Sequence, residues 1–411
     1  MTDEEKIQLK YQASQVFTPG LPIDEKDLFA GRIPLIGKVI TILGQRGQHA
    51  IIFGERGVGK TSFANVLKSY LSTPTMILAP RVECITTDTF SSIWKKVFSQ
   101  IEVIREKQTA GYHPKDASEK FTLADTFKGA ITPDQIQDAL ERLIDAGNIV
   151  VVIIDEFDRI ADRTVRRLMA DTVKSMSDRG DRATLLIVGV ADTVVDLIAE
   201  HESVDRNLVQ IPMPRMSTTE LEMIITKALP RLGMEIDPHA LARISFFSRG
   251  FPFYTHKLGS YAAIAALDDD KLKIETDHVD TGIRQTVDDG QYTHLRTYVT
   301  ATYSARKIHL FRQVLLACAL ARTDELGFFS ASDVREPMTG IMHRDYDVPS
   351  FARHLKEFCE LKRGQILERT GDKYSVRFRF ANPMMQPFVT MKGFADKMWN
   401  PHPDNEGNDQ S

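Results

Sequence analysis

Gly54-Glu55-Arg56-Gly57-Val58-Gly59-Lys60-Thr61-Ser62 follows the apolar run His49-Ala50-Ile51-Ile52-Phe53 and precedes an apolar-periodic stretch at 63–71. A strand, a glycine-rich turn, Lys-Thr and a helix in that order satisfy the phosphate-cradling pattern G-x-x-x-x-G-K-[ST] in full. Gly54, Gly57 and Gly59 free the backbone to aim N–H groups, including those of Val58 and Ser62, at anionic oxygens. The helix N-terminus adds dipoles that favour negative charge. Lys60 is a mobile cation for the outer phosphates, and Thr61 a hydroxyl for Mg²⁺. The bland alternative is a glycine turn closed by Lys and Thr. The strand before and the helix after favour the phosphate reading.

A second stretch points the same way. Ile149-Val150-Val151-Val152-Ile153-Ile154 is a run of six β-branched residues, followed by Asp155-Glu156. Such a run suits a strand buried on both faces of a parallel sheet. Ligands of open α/β sheets bind at the C-terminal edge of the strands, so two carboxylates there call for a cation or a reaction above them. Asp155 is the expected Mg²⁺ ligand, and Glu156 the base that polarises an attacking water. Two ordinary solvated acids, with Phe157 turning the chain, are the alternative.

Composition sets limits. The 411 residues imply two or three domains, and 42% hydrophobic with 26% charged residues describes an ordinary globular protein. A net charge of −4 makes any nucleic-acid surface a local feature. Cys84, Cys318 and Cys359 are widely spaced and fit no metal pattern, which implies unpaired thiols in a reduced compartment. The charged N-terminus lacks a signal core, and no apolar run is long enough to span a bilayer, so a cytoplasmic protein without membrane contact is expected.

Along the chain, residues 1–24 read as an irregular arm broken by Pro19 and Pro22. Residues 25–214 alternate strands and helices, which predicts a parallel α/β sheet. Within them 75–85 reads as one strand and 105–133 as a loop or small insertion. Residues 215–290 are helical throughout, and 286–304 read as a connector. From 300 to 396 come three short helices, at 308–321, 332–340 and 349–361, and a hairpin around Gly371-Asp372. Residues 397–411 read as a disordered tail.

Together these residues resemble an AAA+ ATPase, most closely the origin-recognition and initiator branch and related bacterial ATP-binding proteins. The resemblance implies a three-layer P-loop core with a parallel sheet, a helical lid and a C-terminal winged helix. It also implies ATP with Mg²⁺, hydrolysis, and self-assembly into a homo-oligomer. It places Gly31-Arg32 near the adenine pocket. It places Asp192, beside Thr193, where a polar sensor of the γ-phosphate stands; a carboxylate there repels phosphate, and N-capping the next helix is an equal reading. Arg206 falls where an arginine finger reaches a neighbouring subunit, though an arginine paired with Asp205 or Glu202 fits too. The lid arginine of the family is missing from Gly250-Phe251-Pro252-Phe253, and Lys257 is the available substitute, as a point charge and not a fork. These departures imply slow hydrolysis, and leave a nucleotide-timed signalling switch with a protein partner as the alternative to a DNA-acting ATPase. A small-molecule kinase finds no acceptor-site signature.

Residues 297–397 hold 16 Lys and Arg against 11 Asp and Glu. Period two puts Tyr374, Val376, Phe378 and Phe380 on one face of the second hairpin strand. Lys373, Ser375, Arg377 and Arg379 fall on the other, outward face. In the preceding helix Phe351, Leu355 and Phe358 turn inward, leaving Ser350, Arg353 and Lys356 outward. Double-stranded DNA is the expected partner through Arg353, Lys356, Arg377 and Arg379, with a protein contact or a purely structural role as alternatives; basic residues on an exposed strand also discourage edge-to-edge pairing.

Overall fold

The computed structural model describes residues 1–21, 31–72, 77–106, 118–180, 182–190, 206–290, 292–305, 309–372 and 375–401. Asp192, Thr193, Lys373 and Tyr374, and most of the tail, lie outside them. The central sheet consists of β1 (His49–Phe53), β2 (Ile77–Leu78), β3 (Arg81–Glu83), β6 (Ile149–Asp155), β7 (Ala183–Gly189) and β8 (Leu208–Pro212). Its order is β2-β6-β7-β1-β8, with β3 also on β6, and every pairing is parallel. The strand expected over 75–85 is described as two pieces, β2 and β3. Pro80 between them has no N–H for the ladder, although its carbonyl still accepts from the Ile153 amide at 2.9 Å.

Alternation along the strands builds the layers. Val151, Ile153, Leu186 and Val188 join one core with α2 (Ile33–Leu43) and α3 (Lys60–Leu71). Val150, Val152, Ile154, Leu185 and Ile187 join the other, against α4 (Phe90–Phe98), α5 (Pro133–Asp145) and α6 (Arg163–Arg179). Successive side chains point to opposite faces, so an unbroken apolar strand needs helices on both. The fold is thus α/β, with helices on either side of a parallel sheet.

The helical region expected at 215–290 comprises α7 (Thr218–Ala228), α8 (Pro238–Ser248), α9 (Pro252–Asp268) and α10 (Thr276–Asp288), with the short parallel pair β9 (Glu235–Ile236) and β10 (Lys273–Ile274) among them. The connector at 286–304 is largely helical, as α11 (Tyr292–Thr302). Beyond it stand α12 (Phe311–Leu320), α13 (Arg335–Met342), α14 (Val348–Phe358), the antiparallel hairpin β11 (Leu367–Thr370)–β12 (Arg377–Phe380), and α15 (Met385–Ala395). Phe329 bridges Phe378 on the free side of β12. Phe351, Leu355 and Phe358 are buried and Ser350, Arg353 and Lys356 exposed, as period and burial require.

Other expectations are corrected. The arm is not irregular: α1 (Asp3–Val16) starts at a capping box in which the Glu5 amide donates to Thr2 Oγ1 (3.2 Å) and the Thr2 amide to Glu5 Oε2 (2.8 Å). Its helix is polar on most sides and docks on α9 through buried Ala13 and Phe17, with Lys10 paired to Asp268. The stretch at 105–133 is partly regular, since β4 (Glu102–Glu106) pairs antiparallel with β5 (Ser118–Thr122). The tail is anchored at its start, because Trp399 stacks on Phe246 with centroids 5.9 Å apart. Among the described residues no helix is long and apolar enough to cross a membrane. The three cysteines are unpaired.

Candidate active site

β1, β6 and β7 end side by side at one edge of the sheet, with Phe53 beside Gly189. Above that edge lies a cleft of about 560 Å³ whose floor holds Lys60, Thr61 and Ser62 on one side and Asp155 and Glu156 on the other. Gly57 (φ +87°) and Gly59 (φ +94°) take left-handed conformations that admit the turn. Helix α3 starts at Lys60, not at Phe63, so its positive N-terminal turn, Lys60-Thr61-Ser62, itself lines the cleft. Lys60 Nζ donates to the carbonyls of Gly54 (3.0 Å) and Glu55 (2.8 Å), and burial pushes its pKa down to about 8. Val58 is buried beneath the turn.

Asp155 is 1% exposed, and both of its oxygens are engaged. The Glu156 amide donates to Oδ1 at 2.8 Å, and Arg81 Nη2 to Oδ2 at 2.6 Å. Glu156 holds φ +55°, a conformation that costs a non-glycine residue about 1–3 kcal/mol and is commonest at functional sites. Burial raises its carboxyl above the usual range, with Asp155 and Glu83 acting the same way and Arg159, 3.0 Å away, against them. A raised carboxyl is the direction a general base needs.

Two further walls come from distant parts of the chain. Helix α9 presents Phe253 and His256, and Asn382 and Met384 reach in from before α15. His256 is buried, neither ring nitrogen has a hydrogen-bond partner, and burial drives its pKa to about 4. Thr18–Leu21 close the remaining side. Met384 sits so close to Gly57 that a Cβ there would meet its sulfur at 2.6 Å.

Residues 43–194 match the family model described as "AAA domain". That stretch is similar to an AAA domain. Solved structures have a similar fold: the ORC2 protein of Aeropyrum pernix, captured in ADPNP–ADP complexes, is 15% identical with a TM-score of 0.52, covering 93% of this chain and 98% of that one. The Walker-type ATPase paby2304 of Pyrococcus abyssi is 13% identical with a TM-score of 0.52, covering 91% and 99%. At that identity the likeness shows the fold alone, an AAA+ P-loop α/β core. No curated protein matches the chain.

Gly57, Gly59, Lys60, Thr61, Ser62, Asp155 and Glu156 all line the cleft, whereas Gly54 lines a smaller neighbouring cavity and touches the group through its carbonyl, which accepts from Lys60 Nζ. Arg32 is not in the cleft. Its guanidinium is spent on the carbonyls of Val58 (3.1 Å) and Pro214 (2.8 Å), so it braces the turn from below. Lys257 does not line the cleft either; its ammonium lies 5.6 Å from the Tyr261 ring centroid, and α9 presents His256 to the cleft instead. Arg206 is exposed just before β8, whose first residue pairs with His49. That is the opposite edge of the sheet, roughly 20 Å from the cleft at ~3.3 Å per strand residue.

The outward basic face is corrected at Arg379 alone, since Arg353 and Arg377 are exposed, though paired within the chain. Arg379 turns towards a smaller cavity of about 300 Å³ shared with Gly54, Glu55 and Arg56, and pairs with Glu368 at 2.8 Å. Arg377 pairs with Asp324 at 2.9 Å, and Arg353 with Glu357 at 2.7 Å. Sequence reasoning missed Arg81, Arg215, His256 and Met384, none of which stands in a recognisable local motif. Arg215 grips Glu55 of the phosphate loop with two bonds (2.5 and 2.9 Å), stacks on Phe251 at 4.7 Å, and donates to Gln386 of α15 at 2.5 Å.

Proposed function

We propose that this protein binds ATP with Mg²⁺ in the cleft and hydrolyses it slowly. The observation that carries the reading is the convergence, on one sheet edge, of the α3 N-terminus with Lys60 and of the Asp155-Glu156 carboxylates. The amides of residues 57–62 hold the phosphates, and Lys60 leaves its two carbonyls for the outer ones. Thr61 and Asp155 are hard oxygen donors of the kind Mg²⁺ takes alongside phosphate oxygens and water. Among the described residues no cluster of three His, Cys, Asp or Glu could hold a metal alone, which fits an ion that arrives with the nucleotide. Bound there, it neutralises charge on the phosphates. Glu156 takes the proton of the attacking water, after its link to Arg159 opens. Asp192 as a sensor of the outer phosphate belongs to the same reading.

Arg206 cannot reach the cleft of its own chain, so its role as a finger requires a neighbouring subunit, and ATP-dependent self-association follows. Helices α12–α14 with the β11–β12 hairpin follow the order of a winged helix. Ser350, Arg353 and Lys356 on the outer side of α14 suit a DNA groove, and the protein acts in the cytoplasm. The intramolecular pairing of Arg353, Arg377 and Arg379 favours a second reading, in which the module reports the nucleotide state to a protein partner.

Fluorescent-nucleotide binding and phosphate release test the first reading. Lys60→Ala abolishes binding, and Glu156→Gln binds ATP without turning it over. Wild-type turnover by Glu156→Gln refutes the assigned base. Specific activity rises with protein concentration if Arg206 acts in trans, and a flat dilution series refutes that. Salt-titrated duplex binding separates the DNA reading from the protein-partner reading.

A further inference from the structure

Asp155 is the carboxylate on which magnesium binding depends in the reading above, yet its Oδ2 faces a cation that belongs to the chain. Arg81 reaches it from β3, where Arg81 is in register with Ile153, two residues before Asp155. Its Nη2 is 2.6 Å from Asp155 Oδ2 and 2.8 Å from Glu83 Oε1, so one guanidinium nitrogen is shared by two carboxylates. The two acceptors differ in setting: the Asp155 side chain is 2% exposed and that of Glu83 54%. Arg81 Nε is buried without a hydrogen-bond partner, so the guanidinium is incompletely satisfied in this pose. The backbone beneath it is fixed, with the Arg81 amide donating to Gln100 Oε1 (3.1 Å) and its carbonyl accepting from Gln100 Nε2 (2.6 Å). Only the side chain is free to change partner.

We propose that Arg81 is a resident counter-ion at the metal corner, which magnesium must displace from Asp155 onto Glu83. A dication and a guanidinium cannot share Oδ2 at hydrogen-bond distance in a buried setting, because their repulsion there is far less screened than in water. Without metal, Arg81 keeps Asp155 paired; an unpaired buried carboxylate would be costly. Glu83, exposed and already bonded, gives Arg81 somewhere to go. The chain therefore trades magnesium affinity for stability of the empty site, and Arg81 and Glu83 set the magnesium concentration at which nucleotide is held tightly. This rests on the nucleotide reading of the cleft.

The test is the binding of N-methylanthraniloyl-ADP, followed by fluorescence at increasing Mg²⁺, with binding in EDTA as the baseline. Removing Arg81 removes a charge-assisted bond that competes with the metal, so Arg81→Gln lowers the half-saturating Mg²⁺ by about tenfold or more. Glu83→Gln removes the alternative partner and raises it several-fold. Neither changes the baseline in EDTA by a comparable factor. An unchanged or higher half-saturating Mg²⁺ in Arg81→Gln overturns the proposal. Should that variant fail to fold, Glu83→Gln decides, because its side chain is half in solvent; an unchanged or lower requirement there overturns it equally. Failure of the wild-type protein to bind the nucleotide at any Mg²⁺ overturns the nucleotide reading and this proposal with it. Binding with unaltered Mg²⁺ dependence overturns this proposal alone.

Discussion

Arg215→Met is the perturbation with the largest consequence away from the cleft floor. Arg215 and Glu55 form a two-bond ion pair with side chains 14% and 6% exposed. The pair is crowded from above by Gly327 (φ +77°), where a Cβ would collide with the Glu55 carboxylate. Arg215 also bonds Gln386, whose amide donates to the Ala319 carbonyl at 3.0 Å, so the glycine-rich turn, the segment leading into α7 and the helices α12 and α15 meet at one guanidinium. Breaking such a pair from one side leaves a buried charge without compensation and costs about 3–5 kcal/mol. For a unit of 150–250 residues that corresponds to a fall in Tm of about 6–20 °C. Glu55→Gln/Arg215→Met removes both charges and should recover much of the loss, giving a coupling energy of about 1 kcal/mol or more in a double-mutant cycle. The assay is thermal and urea unfolding of the nucleotide-free protein. The two tryptophans report on different places: Trp94 is fully buried under the sheet, whereas Trp399 stacks on Phe246 of α8. A single variant within about 0.5 kcal/mol of wild type, or a double variant equal to the sum of the singles, refutes the reasoning.

Lys60 makes nucleotide affinity depend on pH. Burial holds its pKa at about 8 in the empty site, and phosphate favours the charged form, so binding above that value requires proton uptake. Affinity should fall by up to about tenfold per unit as pH rises beyond 8, and a flat profile from pH 7 to 9.5 refutes this. His49 makes stability depend on pH in the other direction. It is buried in β1, accepts from the Leu185 amide at 2.9 Å, and has its pKa driven to about 4. The unfolded chain takes up that proton near pH 6.5 and the folded one does not. Stability is therefore intact above 6.5 and falls by about 1.4 kcal/mol per unit between 6.5 and 4, by about 3 kcal/mol in all. His49→Gln should flatten that slope by the same amount in equilibrium unfolding, and an unchanged slope refutes the assignment.

The elements that were legible in the sequence rest on local pattern. The phosphate loop is nine consecutive residues, and the Asp155-Glu156 strand is a run whose burial on both faces follows from β-branched side chains with no polar alternation. The helices at 218–228 and 252–268 show apolar spacing between glycine and proline punctuation. Helix α1 was signalled only by Thr2 and Glu5, three residues apart, because its sequence lacks a clear apolar face and takes its order from docking on α9.

What the sequence by itself determined is the chemistry available at the sheet edge: a cation, a hydroxyl, two carboxylates and a row of amides, each set by residue type and spacing. Tertiary structure alone decided what those groups face. Arg81 and Asp155 are 74 positions apart, and Glu55 and Arg215 are 160 apart. Nothing in a local period ties such partners together; they meet because a parallel sheet aligns strand ends that are distant in the chain. The same closure swings Asn382 and Met384 over the phosphate loop and turns Arg379 inward, where alternation alone had placed it outward. Period two assigns a side chain to a face of its strand, and only the packing of whole modules decides whether that face meets solvent or another part of the protein.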